Sequence, residues 1–142
     1  MLSFIALALA VPNVAPCLGD STPQVEACLD SRFKESDAIL NRYLQAALKR
    51  AREGGGTETA EHFIQAQRLW VAYRDAECGS VRHYWRDGTI RGSMDLGCRI
   101  RLTRLRTYAI WRDWLTYPDS TPPSLPRPDV ESVTSERRAP ST

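Results

Sequence analysis

The sequence predicts an all-α domain. Apolar residues recur at steps of three and four over most of the chain, strand-like alternation never survives more than a few residues, and glycine-bearing turns separate the periodic stretches. The arrangement expected is an up-down-up three-helix bundle, with two disulfides at one pole and a disordered Pro-rich C-terminal tail.

Residues 1–15 are read as a signal-like segment preceding the domain. Leu2 to Val11 is an uncharged apolar run with small residues behind it, as in a secretory h-region. At about 10 residues it is too short for a membrane span, which needs about 20. No Lys or Arg precedes the run, so its n-region departs from a complete signal. Cleavage after Ala10 or Ala15 fits the small-residue rule. Pro16, standing directly before Cys17, argues against lipid attachment there.

The domain itself spans residues 17–116. Thr22 is a suitable N-cap with Pro23 at the first helical position, where its missing N–H costs nothing. Val25, Cys28, Phe33, Asp37, Leu40, Tyr43, Ala47 and Ala51 then mark one helix face. Gly54-Gly55-Gly56 is expected to end that helix. A second helix from Thr57 or Thr59 carries Phe63, Gln67, Trp70, Arg74, Cys78, Val81 and Trp85. Asp87-Gly88 and Gly92 mark a turn, and Ser93 caps a third helix bearing Leu96, Ile100, Thr103, Thr107, Ile110 and Trp114. Residues 117–142, with Pro118, Pro122, Pro123, Pro126, Pro128 and Pro140, hold too little apolar surface to offset their ordering entropy.

Four cysteines, Cys17, Cys28, Cys78 and Cys98, follow the apolar leader. An even count behind such a segment reads as a disulfide set in an oxidising compartment, either periplasmic or secreted. An up-down-up path would gather all four at the pole opposite the glycine turn. Sequence alone does not choose among the three pairings. The arrangement favoured is Cys17–Cys28 with Cys78–Cys98, one pinning the incoming segment and the other closing the loop between the second and third helices. Each bridge would stabilise by about 3 kcal/mol in the chain-entropy picture. A zinc site is disfavoured, because no C-x-x-C pair is present.

Polar side chains interrupt the apolar stripes at Asp37, Asn41, Gln67, Arg74, Thr103 and Arg106. A buried charge needs a partner, so Asp37 and Arg74 are expected to pair across the first two helices. Asn41 and Gln67 would complete the hydrogen bonds. The plainest role for such a network is to fix helix register; lining a binding groove is the functional alternative.

Cys17, Cys28, the string Asp37-x-x-Leu40-Asn41-x-Tyr43 and the phrase Gln67-x-x-Trp70-x-x-Tyr73-Arg74-Asp75-Ala76-x-Cys78 together carry a family likeness. With Gly92-Ser93, Cys98 and Thr103-x-x-Arg106, the chain resembles the LprI-type lysozyme-inhibitor family over about residues 17–115. The resemblance implies an exported helical domain and, for the name-giving member, inhibition of lysozyme. Because c-type lysozymes are basic, such an inhibitor should present acidic surface. Asp75, Glu77 and Asp87 are the candidates, with Trp85 as an aromatic anchor beside them. The loop from Gly79 to Ser93 is the first place to expect a partner.

Enzymatic readings find little support. The chain has no P-loop, G-x-S-x-G or H-E-x-x-H motif, and His62 and His83 lack a recognisable nucleophile or carboxylate arrangement. No catalytic residue, metal ligand or cofactor is expected. The overall charge of +2 argues against a bulk polyanion binder. Arg99, Arg101, Arg104 and Arg106 are spread around the third helix, and export makes nucleic acid an improbable ligand. The reading is therefore an exported, non-catalytic binding protein, with a lysozyme or other protein as partner. The alternative is an envelope-associated structural or stress module that uses the Arg-rich third helix to bind anionic envelope components.

Overall fold

The computed structural model describes residues 16–130. The apolar leader at 1–15 lies outside the described residues. Among those described the protein is all-helical without strands: α1 spans Thr22–Tyr84, α2 spans Arg91–Ile110, and a π-helical turn covers Trp111–Leu115.

Ser21, not Thr22, occupies the N-cap of α1, one residue earlier than expected, so Pro23 falls at the second helical position instead of the first. The glycine turn acts differently from the expectation. Helical hydrogen bonding runs through Gly54 and Gly55, and only Gly56 leaves helical geometry, at φ 73° and ψ −171°. That left-handed φ is cheap for glycine and strained for any residue with a Cβ. The anticipated first and second helices are thus two arms of one kinked 63-residue helix, and the three-helix count is corrected to two. Gly54 and Gly55 keep helical geometry, and at Gly56 alone the chain turns back, so that the two arms pack against each other.

Buried contacts place the arms side by side. Leu40, Tyr43 and Ala47 of the first arm share one buried cluster with Phe63 of the second, Ile110 of α2 and Leu115 of the π-turn. Trp114, also on the π-turn, meets Phe63 edge-to-face with ring centroids 4.9 Å apart. A second cluster holds Cys78, Cys98 and Leu102, with Trp70 and Val81 packed against it. Trp70 therefore joins the two halves of the core.

Disulfides link Cys17 to Cys28 and Cys78 to Cys98, closing separations of 11 and 20 residues. Helix α2 begins at Arg91, before the expected cap Ser93, because the Met94 N–H already bonds the Ile90 carbonyl at 3.0 Å. Gly92 is buried, and the Glu26 carboxylate lies where its Cβ would project. The start of α1 thus touches the start of α2 at the cysteine pole.

The expected disorder of the tail is corrected for residues 117–130. Tyr43 Oη donates to the Pro126 carbonyl at 2.7 Å, and Trp111 Nε1 donates to the Leu125 carbonyl at 2.9 Å. Ser124 N–H bonds the Leu115 carbonyl at 2.9 Å, and Leu125 packs on the first core cluster. Composition underestimated this strap. One leucine, together with carbonyl groups that meet ready donors, holds a segment that is otherwise polar.

Candidate partner-binding face

Arg74 is the hub of the polar network. Its side chain is only 10% exposed, and it donates to Asp37 Oδ1 at 3.1 Å, Thr103 Oγ1 at 3.2 Å and Asp75 Oδ1 at 3.4 Å. The guanidinium also stands 5.1 Å from the Trp70 ring centroid and 5.2 Å from that of Phe33. A cation over an aromatic face in a desolvated setting gains about 2 kcal/mol, which helps to offset its burial. Arg106 approaches Trp70 as well, at 5.9 Å, and donates to Gln67 Oε1 at 3.0 Å. Burial pushes the Arg106 guanidinium below its ordinary pKa, with Asp113 acting in the opposite sense.

From Arg74 a run of ion pairs climbs toward the cysteine pole. Asp75 accepts from Arg99 at 2.6 Å, Arg99 reaches Asp95 at 2.8 Å, and Asp95 lies 3.7 Å from Arg82. Around Arg99, desolvation is outweighed by the bonds to Asp95 and Asp75, and its pKa rises. Two links of this run, Asp75–Arg99 and Asp95–Arg82, join α1 to α2, and Arg74–Asp37 joins the two arms, so the charges order the bundle.

This geometry sorts the residues singled out from sequence. Asp37, Gln67, Arg74, Thr103 and Arg106 are gathered in or beside the core. Asn41 is exposed on α1 and takes no part in the network. Asp75 is held between two arginines and is not a free acidic contact. Glu77 is exposed, Asp87 is 91% exposed beside Arg86, and Trp85 is 36% exposed against the Tyr84 ring. Arg99 and Arg106 are engaged internally and Arg104 also has a partner, which removes much of the positive surface expected on the third helix.

Sequence reasoning missed an exposed apolar stripe. Leu69 is 62% exposed, Tyr73 54% and Tyr84 78%, all on the outer side of the second arm. With Ala66, Ala76 and Ser80 they recur at helical steps of three and four, along a stripe turned away from the core residues Phe63, Trp70, Arg74 and Cys78. Glu77 borders the stripe, and at its end the Tyr84 ring meets that of Trp85 edge-to-face at 5.5 Å. A leucine and a tyrosine four apart, both off the core stripe, were the available signal. Large apolar side chains grouped on a surface mark interaction sites more often than isolated ones do.

Among the described residues no His, Cys, Asp or Glu cluster has the form of a metal site, and no helix is long and apolar enough to cross a membrane. Fold and surface together define a small, disulfide-linked helical protein whose described residues include an exposed apolar stripe. The chain belongs to the lysozyme inhibitor LprI family, whose model matches residues 17–110. An uncharacterized protein of Rhizobium meliloti (strain 1021) is 32% identical over 96 residues, covering 61% of this chain and 69% of that protein. No solved structure matches the chain.

Proposed function

We propose that this protein is an exported, non-catalytic inhibitor that binds a lysozyme through the outer face of the second arm of α1 and the adjoining turn. The observation that carries the reading is the Leu69–Tyr73–Tyr84 stripe, exposed at 62%, 54% and 78% on a rigid helix. Aromatic and leucine side chains displayed on a rigid scaffold lose little conformational entropy on docking and supply the buried centre of an interface. Glu77, exposed beside the stripe, offers an acidic contact that suits a basic target, whereas Asp87 already lies 3.8 Å from Arg86. The family's description supports lysozyme as the target, and the two disulfides suit an oxidising compartment outside the cytosol.

The test is a cell-wall lysis assay in which purified protein is titrated against c-type, g-type and bacterial lytic enzymes. Inhibition of one class is expected, with the Leu69→Asp and Tyr73→Ala variants each about tenfold weaker, as central interface residues are. Full lysis by every enzyme at large molar excess of inhibitor would sink the reading.

A further inference from the structure

The Tyr108 and Trp111 rings lie 5.6 Å apart, and the chain's own residues 124–127 run past them and the Tyr43 hydroxyl. The sequence of residues 121–128, Thr-Pro-Pro-Ser-Leu-Pro-Arg-Pro, is proline at four of its positions. Proline has no N–H, so such a segment adopts extended conformations and offers mainly carbonyl acceptors to a binding surface. The surface beneath supplies the matching donors. Tyr43 Oη bonds the Pro126 carbonyl at 2.7 Å and Trp111 Nε1 bonds the Leu125 carbonyl at 2.9 Å. Between these bonds Leu125 enters the edge of the apolar cluster that contains Leu40 and Ile110. Arg127 stacks over Tyr108 at 5.5 Å, completing a row of contacts to three successive residues of the strap.

We propose that this aromatic groove is a binding site for extended, proline-bearing peptides, and that residues 121–128 are its built-in occupant. Aromatic walls, ring N–H and O–H donors aimed at carbonyls, and one pocket for an apolar side chain between prolines are the elements by which proline-rich peptides are recognised. The template they define is Leu-Pro-Arg-Pro. The segment is tethered only a few residues after the π-turn, so it competes at an effective concentration of about millimolar. An external peptide gains the groove when the strap lifts.

The experiment uses the full chain and a fluorescein-labelled peptide with the sequence of residues 121–130. Leu125→Asp in the protein releases the strap, and its helical circular dichroism should stay at the wild-type level. This variant should bind the peptide at least about tenfold more tightly than the unmodified chain, because the tethered competitor is gone. Adding Tyr43→Phe should weaken that binding again. A folded Leu125→Asp chain that fails to bind the peptide overturns the proposal. Hydrogen exchange on the unmodified chain decides the matter if the variant does not fold. The Ser124 amide, bonded to Leu115 O at 2.9 Å, should exchange at least about tenfold faster than the α2 amides, by local opening. Exchange of Ser124 only in step with the α2 core would show a permanently integrated strap and overturn the proposal.

Discussion

Arg74 and Asp37 meet at 3.1 Å across the two arms of α1, yet the cation is 10% exposed and the anion 52%. The pair is therefore lopsided: a buried guanidinium held by a half-solvated carboxylate. Arg74→Ala should cost about 3 kcal/mol, since it opens a cavity beside Trp70 and removes the bond to buried Thr103. Asp37→Asn should cost no more than about 1 kcal/mol, as an exposed partner usually does. Urea unfolding of both variants checks this, and equal losses would contradict the asymmetry.

The bend of α1 makes a sharp distinction between neighbouring glycines. Gly56, at φ 73°, should lose about 1–2 kcal/mol when replaced by alanine. Gly54 is helical with nothing near its Cβ position, so Gly54→Ala should gain up to about 1 kcal/mol. Thermal melts of the two variants should therefore move in opposite directions.

Tyr43 responds to alkali. Burial raises its pKa above the ordinary 10.0, opposed by nearby Arg42. A raised folded-state value means that its stabilisation is complete below the unfolded pKa and is lost as pH climbs through the folded one. Stability should decline above about pH 10 more steeply in the unmodified chain than in Tyr43→Phe. At neutral pH that variant should cost about 1 kcal/mol, the worth of its bond to Pro126. Denaturation midpoints measured from pH 8 upward give both numbers.

Surface position separates binding from folding on the outer stripe. Leu69→Asp and Tyr73→Ala should each leave unfolding free energy within about 0.5 kcal/mol of the unmodified chain. A large loss of stability in either would place the side chain in packing and remove it from the proposed interface.

Replacing both Cys78 and Cys98 by alanine should cost about 3 kcal/mol through freed loop entropy. Cys78 has no exposed surface and Cys98 only 6%, so the core around Leu102 and Trp70 should loosen with it. Calorimetry of the double variant, compared with the Cys17/Cys28 double variant, resolves the packing contribution from loop closure.

The stripe Phe63, Gln67, Trp70, Arg74 and Cys78 was legible because burial on a helix has a period that sequence displays directly. On the first arm Leu40, Tyr43, Ala47 and Ala51 are buried as read, and only Asp37 was misplaced, its position on the buried face being taken by Ser36. Asp37 and Asn41 stand about 100° further around, toward water. Asp37 remains within reach because Arg74 is long enough to meet it; Asn41 is too short to reach back. Gly54–Gly56 announced the change of direction, but not that Gly54 and Gly55 would stay helical and Gly56 alone would leave helical geometry. The strap was illegible because its anchoring donors, Tyr43 and Trp111, are distant in sequence. The exposed stripe of Leu69, Tyr73 and Tyr84 was hidden among residues whose apolar character usually signals the interior.

Each disulfide joins cysteines that are consecutive along the chain. A chain delivered N-terminus first therefore exposes Cys17 and Cys28 to oxidant while Cys78 is still upstream of the exit. The second pair follows in its turn. In a chain so delivered, order of emergence would by itself favour the native connectivity, and an oxidant would matter more than a proofreader.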